Sequence, residues 1–199
     1  MNQTDAMARA ARAKKVTWVG FWVNVVLSVA KIIAGIVGRS GAMIADGVHS
    51  ISDFVTDIIV IVFIGVSAKG ENTRFRYGHG KFETFATMLI SFALFAVAVG
   101  LFWTSFSQIV DALNGKVLPR PEMVALVMAF VSVVAKEWLF HYTRVAGEQM
   151  NSMALVANAW HHRSDAFSSI AVLVGIGCAM FLGERWRVLD PIAAATVSV

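Results

Sequence analysis

Cysteine is almost missing from this chain, because Cys178 is the single one among 199 residues. It lies in an apolar run, so neither a disulfide framework nor a thiolate metal cluster is available. Charge is also scarce. Asp, Glu, Lys and Arg together make up 15% of the residues, whereas a soluble domain is usually nearer one quarter charged. With 57% apolar residues, the composition excludes an ordinary soluble domain and indicates a membrane protein.

Long apolar segments show where the chain can cross a bilayer. Thr84–Val110 has 27 residues without a charge, enough to cross the ~30 Å hydrocarbon core with some tilt. The first apolar segment is too long for a secretory signal and has no small-residue cleavage site. We therefore predict an all-α membrane protein, a six-transmembrane-helix bundle with helices at about 16–37, 42–68, 82–110, 121–146 and 151–182 and a sixth from 190.

The connections between these helices carry turn residues. Gly38–Gly41 predicts a tight turn, and loops are expected at 69–81, 114–121 and 183–187. At the start of the sixth helix we expect Asp190 to act as the cap and Pro191 to occupy the first turn. Pro191–Val199 would reach only ~14 Å, so we expect the sixth helix to be truncated and the chain to be a fragment or a trimmed protein.

Basic residues are spread along the chain rather than gathered in one patch, which argues against a nucleic-acid partner. Counted by predicted loop, ten lie on one side of the membrane and five on the other. The positive-inside rule then predicts a cytoplasmic N-terminus. The ten are Arg9, Arg12, Lys14, Lys15, Lys69, Arg74, Arg76, Lys81, Lys136 and Arg144.

Two His–Asp pairs lie inside the predicted spans. His49-x-x-x-Asp53 and His161-x-x-x-Asp165 each place an imidazole and a carboxylate one helical turn apart on one face. Ionisable groups at that depth are functional by default. Helices two and five run in opposite directions, and a rise of ~1.5 Å per residue brings the two pairs to matching depth, with each His opposite the other helix's Asp. Two imidazoles and two carboxylates suit a tetrahedral Zn²⁺.

The two His–Asp pairs could also have a purely structural role. Each pair could hydrogen-bond only within its own helix, or the carboxylates could pair with Lys31 and Arg163. Asp46 and Asp57 share the helix face of the first pair and are candidates for an ion pathway. For Asp46 we favour neutralisation of Lys31 on the neighbouring helix, and Asp57 is left open.

Two further histidines are not predicted to be ligands. His162 points ~100° away from its neighbour at the helical period, which favours packing over ligation. His141 lies near one end of the fourth helix beside Trp138 and Tyr142, as an interfacial residue would.

Four segments of the chain resemble the cation diffusion facilitator family. Gly38–Asp53 looks like the family's entry into its second helix, Arg76–Glu83 is similar to its inner loop, and His161–Asp165 is similar to its fifth helix. Asp190-Pro191 fits the start of the sixth. The similarity covers essentially the whole chain in the family's order and spacing.

The resemblance implies six transmembrane helices in a homodimer that exports divalent metal from the cytoplasm, usually in exchange for protons. It also implies that the transport site consists of His49, Asp53, His161 and Asp165. Members with this set are typically zinc transporters, so Zn²⁺ is the expected substrate, ahead of Fe²⁺, Co²⁺, Ni²⁺, Cd²⁺ and Mn²⁺. We expect alternating access in the bilayer of a bacterial cytoplasmic membrane.

The sequence departs from the family pattern in two places. Some relatives hold a second metal in the inner loop with one acidic residue and two histidines. The matching positions here are Asn72, Phe75 and His79, so we expect no strong loop site and assign His79 to loop packing or weak metal delivery. The family's cytoplasmic C-terminal domain is also expected to be absent from this chain.

Two other functions compete with transport. A membrane metalloenzyme would need an open coordination position and a general base, whereas the predicted four-ligand set is full and no His-Glu-x-x-His occurs. We therefore expect a secondary transporter, not an enzyme. A non-transporting scaffold, or a heteromeric partner of another metal transporter, stays the alternative, although such a protein would be expected to lose ligands.

Overall fold

The computed structural model describes residues 3–52 and 80–198. This part of the chain is helical with short connections and contains no strand, so the all-α prediction is confirmed for it. The predicted end of the second helix and most of the predicted 69–81 loop lie outside the described residues. The helices are α1 (Gln3–Val37), α2 (described over 41–52), α3 (Gly80–Leu113), α4 (Met123–Gln149), α5 (Met153–Phe181) and α6 (Leu189–Val197), with a 3₁₀ helix at Glu184–Val188 between α5 and α6.

Four of the described helices are long and apolar enough to cross a membrane. Large apolar side chains such as Phe92 and Trp103 are about 70% exposed on their outer faces, as expected of surfaces that contact lipid. The complete six-helix bundle stays a prediction. The four candidate spans are Lys15–Val37, Phe95–Leu113, Met123–Gln149 and Leu155–Phe181.

The first helix is longer than predicted, because it begins at Gln3 rather than near Val16. The extra residues, 3–15, include five alanines and four Lys or Arg residues. These residue types have the highest helix propensities, so the apolar span can continue as a polar helix beyond the candidate membrane segment. The prediction followed hydropathy alone and therefore found only the span.

The predicted tight turn between α1 and α2 is confirmed. The backbone N–H of Ser40 donates to the carbonyl of Gly35 at 3.0 Å, and Arg39 adopts a left-handed conformation with φ of 50°. The two helices then pack closely, since a Cβ added to Gly35 would lie 2.7 Å from a side-chain carbon of Ile44. Small residues permit this approach between membrane helices, and it holds α2 against α1.

The remaining described helices form a bundle around α5. α4 packs against α1 and α5, and α6 packs against α5 and α3. The apolar core includes Met43 of α2, Ala129 of α4 and Val172 and Ile176 of α5, all fully buried. This apolar cluster therefore holds α2 and α5 in the same packed core.

Asp190 does not cap its own helix, contrary to the sequence prediction, because α6 begins after Val188 without a side-chain cap. Its carboxylate instead accepts hydrogen bonds from the Ser40 hydroxyl at 2.5 Å and from the backbone N–H of Gly41 at 2.8 Å. Free N–H groups at the start of a helix attract a carboxylate, and those of α2 bind this one. Asp190 thus ties the start of α6 to the start of α2.

Asp190→Ala is expected to destabilise the domain by about 2 kcal/mol, because the Ser40 hydroxyl and the first turn of α2 lose their acceptor while buried. Reversible chemical unfolding in detergent micelles measures the change. Glu184→Ala, which alters an exposed carboxylate of the adjacent 3₁₀ helix, is the matched control and should have little effect. Equal stability of the two variants would contradict this role for Asp190.

Candidate metal site

His161 and Asp165 lie on α5, as predicted, and face each other across one helical turn. Nε2 of His161 lies 3.9 Å from Oδ1 of Asp165, which is too long for a hydrogen bond. The carboxylate is buried, with 9% of its side chain exposed, whereas the imidazole is 45% exposed. The alternative in which this pair simply hydrogen-bonds within its helix is therefore not observed.

The second oxygen of Asp165 is bound by a residue that the sequence analysis placed elsewhere. Nζ of Lys136, on α4, lies 2.6 Å from Oδ2, and its side chain is only 3% exposed. Lys136 was counted among the basic residues at one membrane side, and this assignment is wrong because α4 turns it into the bundle. The alternative in which a carboxylate pairs with Arg163 is not observed among the described residues, where the Arg163 guanidinium lies 4.7 Å from the ring centroid of Phe140.

His49, on α2, lines a cavity of about 50 Å³ together with residues of α3 and α6. Among the residues that the structure describes, no three His, Cys, Asp or Glu side chains gather closely enough to hold a metal ion. Asp53, Asp57 and His79 lie outside the described residues. The four-residue ligand set of the sequence analysis therefore stays a prediction.

A second buried ion pair involves Asp46, which lies one helical turn before the predicted ligand His49 on α2. Nζ of Lys31 is 2.8 Å from Oδ2 of Asp46, and the two side chains are 0% and 2% exposed. The same ammonium donates to the hydroxyls of Ser50 and Ser169, at 3.1 and 3.2 Å, and the Ser169 hydroxyl contacts Asp46. The predicted Lys31–Asp46 pairing is confirmed, and the network joins α1, α2 and α5.

The two remaining histidines differ in burial. His162 is 3% exposed, and its Nε2 lies 3.4 Å from the side-chain nitrogen of Asn158. His141 is 66% exposed and lies 3.3 Å from a carboxylate oxygen of Glu137 on the same helix. These positions suit the packing and interfacial roles expected of them.

Comparison with known proteins places this chain in a family. The family model described as the cation efflux transmembrane domain matches residues 17–199. The chain belongs to the cation diffusion facilitator family. The two buried lysine–carboxylate pairs and the predicted His–Asp motifs therefore lie within a cation efflux domain.

Relatives of this cation efflux domain include proteins from bacteria, fungi, plants and an archaeon. It is 34% identical to the manganese efflux system protein MneP of Bacillus subtilis, over 97% of this chain and 65% of that protein. It is 33% identical to the magnetosome protein MamB of a Magnetospira species, over 98% and 64%. An uncharacterized metal transporter of Schizosaccharomyces pombe is 32% identical over 93% and 50%. The chain thus spans about half to two thirds of the length of these curated relatives.

Lys136 and Ser169 are the residues of the cation efflux domain that the sequence analysis missed. A signal for Lys136 was present, because a lysine inside a predicted span is costly and needs a partner. It lies 13 residues after Met123, or ~20 Å along the helix axis, near the middle of a membrane-length helix. Ser169 carried no comparable signal, since serine is common in membrane helices.

Proposed function

We propose that the chain forms the transport domain of a divalent metal exporter that moves Zn²⁺ out of the cytoplasm in exchange for protons. The observation that carries the proposal is a buried carboxylate, Asp165, one turn from His161 on a membrane-length helix of a cation efflux domain. The names of two relatives, a manganese efflux protein and a metal transporter, support metal as the substrate.

The proposed ligands are His49, Asp53, His161 and Asp165. Two imidazoles and two carboxylates form a mixed N/O set that suits zinc and other late transition metals, whereas Mn²⁺ prefers carboxylates, carbonyls and water. The donor chemistry therefore favours Zn²⁺, even though one relative is named for manganese.

Exchange with protons follows from the chemistry of the ligands. A neutral imidazole or an ionised carboxylate binds a metal ion, and the protonated form of either does not, so protons and metal compete for the same atoms. We propose that α2 and α5 rearrange relative to the other helices, exposing the site to one side of the membrane and then to the other. Protons that enter from outside would then release the ion.

We also propose the assembly and orientation that the resemblance implies. The protein would act as a homodimer in a bacterial cytoplasmic membrane with its N-terminus in the cytoplasm. Without Lys136, nine basic residues still lie on the N-terminal side of the predicted topology and five on the other, which supports this orientation.

The test is metal-driven proton flux in proteoliposomes that contain the purified chain and a trapped pH indicator. External Zn²⁺ is expected to change the internal pH faster than Cd²⁺, and both faster than Mn²⁺. Protein-free liposomes with the same metals measure the leak.

Two results would contradict the proposal. Absence of flux with Zn²⁺, Cd²⁺, Mn²⁺, Fe²⁺, Co²⁺ and Ni²⁺ would reject transport by this chain. Metal binding without flux would favour the competing scaffold role.

A further inference from the structure

The ammonium of Lys136 lies on the carboxylate that we propose as a metal ligand. Its Nζ is 2.6 Å from Oδ2 of Asp165, and both side chains are more than nine-tenths buried. The other oxygen, Oδ1, faces His161. The carboxylate of this proposed metal ligand is therefore already paired with a positive charge, the ammonium of Lys136 on α4.

A divalent ion bound to the same carboxylate would lie close to this charge. Zinc–oxygen bonds are ~2.0–2.2 Å long, so an ion on Oδ1 would lie about 5 Å from an ammonium that remains on Oδ2. Like charges at that separation repel strongly where water does not screen them. The lysine ammonium is carried on a flexible four-carbon stem. It can therefore either move away from Asp165 or stay there and lower the affinity of the site for the metal.

We propose that Lys136 is a tethered competitor of the transported metal: its ammonium lowers the affinity of the Asp165 site for divalent cations and reoccupies the carboxylate when the ion leaves. The inference rests on the proposed function, because it needs Asp165 to be a ligand. It requires no change in the charge of Lys136 during transport. In this role Lys136 is a positioning residue that sets how tightly the site binds and how fast it releases its substrate.

A purely structural role predicts a different outcome. If Lys136 only neutralised a buried carboxylate, replacing it would change stability and leave a correctly folded site with unchanged or weaker affinity. Competition instead predicts that removing the charge strengthens binding, whereas strengthening the ion pair weakens it. The two substitutions below therefore have effects of opposite sign.

The experiment is isothermal titration of the full chain in detergent micelles with Zn²⁺. Lys136→Gln removes the charge and is expected to lower Kd by about tenfold or more, a conservative figure for like charges about 5 Å apart at an effective permittivity of about 20. Lys136→Arg keeps a permanent charge on a planar group that can bind a carboxylate with two hydrogen bonds. It is expected to raise Kd by about tenfold. Lys116→Gln, which removes an exposed ammonium paired with Asp111, is the control and should change Kd less than Lys136→Gln.

Flux measurements on the same variants supply a second readout. Tighter binding in Lys136→Gln is expected to lower KM and to lower kcat, because the ion is released more slowly. If Lys136→Gln does not fold, the result for Lys136→Arg decides alone, because that variant retains the buried ion pair.

The outcomes separate this inference from the proposed function. If the wild-type chain binds Zn²⁺, Asp165→Asn does not, and neither Lys136 variant shifts Kd in its expected direction, the inference is overturned and the transport site stands. If neither the wild-type chain nor any variant binds Zn²⁺, both are overturned. Opposite shifts in the two Lys136 variants support the inference.

Discussion

His49→Ala and His161→Ala are each expected to abolish metal-driven proton flux. Each substitution removes one of four proposed ligands and leaves the ion with an incomplete tetrahedral set. Loss of residues that only support a metal ligand already lowers affinity or activity about 10–100-fold, so loss of a ligand should reduce flux by more than about 100-fold. Initial rates of internal pH change in proteoliposomes, at equal amounts of inserted protein, measure the effect.

His141→Ala provides the matched control for these two variants. It also removes an imidazole from a membrane-length helix, but one that is exposed and lies beside Glu137. Its flux should equal that of the wild-type chain. Undiminished flux in either His49→Ala or His161→Ala would remove that residue from the ligand set.

Lys31→Met is expected to destabilise the domain by about 3–5 kcal/mol, because it leaves Asp46 charged and buried without its partner. The pair is 2.8 Å apart and almost completely excluded from solvent, so water cannot compensate for the lost ammonium. Urea or SDS titration in micelles, followed by tryptophan fluorescence, measures the change in unfolding free energy.

An exposed ion pair in the same chain provides the comparison for Lys31→Met. Lys116 and Asp111 are also 2.8 Å apart, but their side chains are 68% and 43% exposed, and such surface pairs contribute about 0–1 kcal/mol. Lys116→Met should therefore have a much smaller effect. Equal stability of Lys31→Met and Lys116→Met would show that burial does not set the strength of the Lys31–Asp46 pair.

A double substitution distinguishes the loss of the ion pair from the cost of leaving Asp46 charged, buried and without Lys31. Lys31→Met combined with Asp46→Leu replaces the ion pair by apolar side chains, which is often neutral or stabilising in buried sites. Ser50 and Ser169 can then bond to carbonyl groups of their own helices. The double variant is expected to recover most of the stability lost in Lys31→Met, and a further loss would contradict this account.

The helix boundaries of α3, α4 and α5 were predictable to within about three residues because hydropathy is a local property of the sequence. The turn after Val37 was predictable for the same reason, since glycine, arginine and serine at 38–41 form it with their own backbone. The Lys31–Asp46 pair could also be predicted, because α1 and α2 are consecutive helices joined by a short turn. Lys31 and Asp46 lie at about the same number of residues from that turn, so they reach a similar depth along the two helices.

The candidate site was only partly predictable. Spacing alone put His161 and Asp165 on one face of α5, and this is what the structure shows. The ion pair between Lys136 and Asp165 was not predicted, because the rotation of α4 about its own axis decides whether Lys136 faces lipid or the bundle. That rotation depends on side-chain packing between helices, which no local pattern reports.

The sequence by itself determined the membrane class, the family and the positions of α3, α4 and α5 along the chain, because these depend on hydropathy and residue spacing over short distances. Tertiary structure alone decided which charged residues meet across distant segments of the chain. Asp190 stabilises the start of α2, about 150 residues earlier in the chain, and Lys136 rather than Arg163 binds Asp165. Both contacts join distant segments, and a buried charge takes whichever opposite partner the packed helices bring within reach.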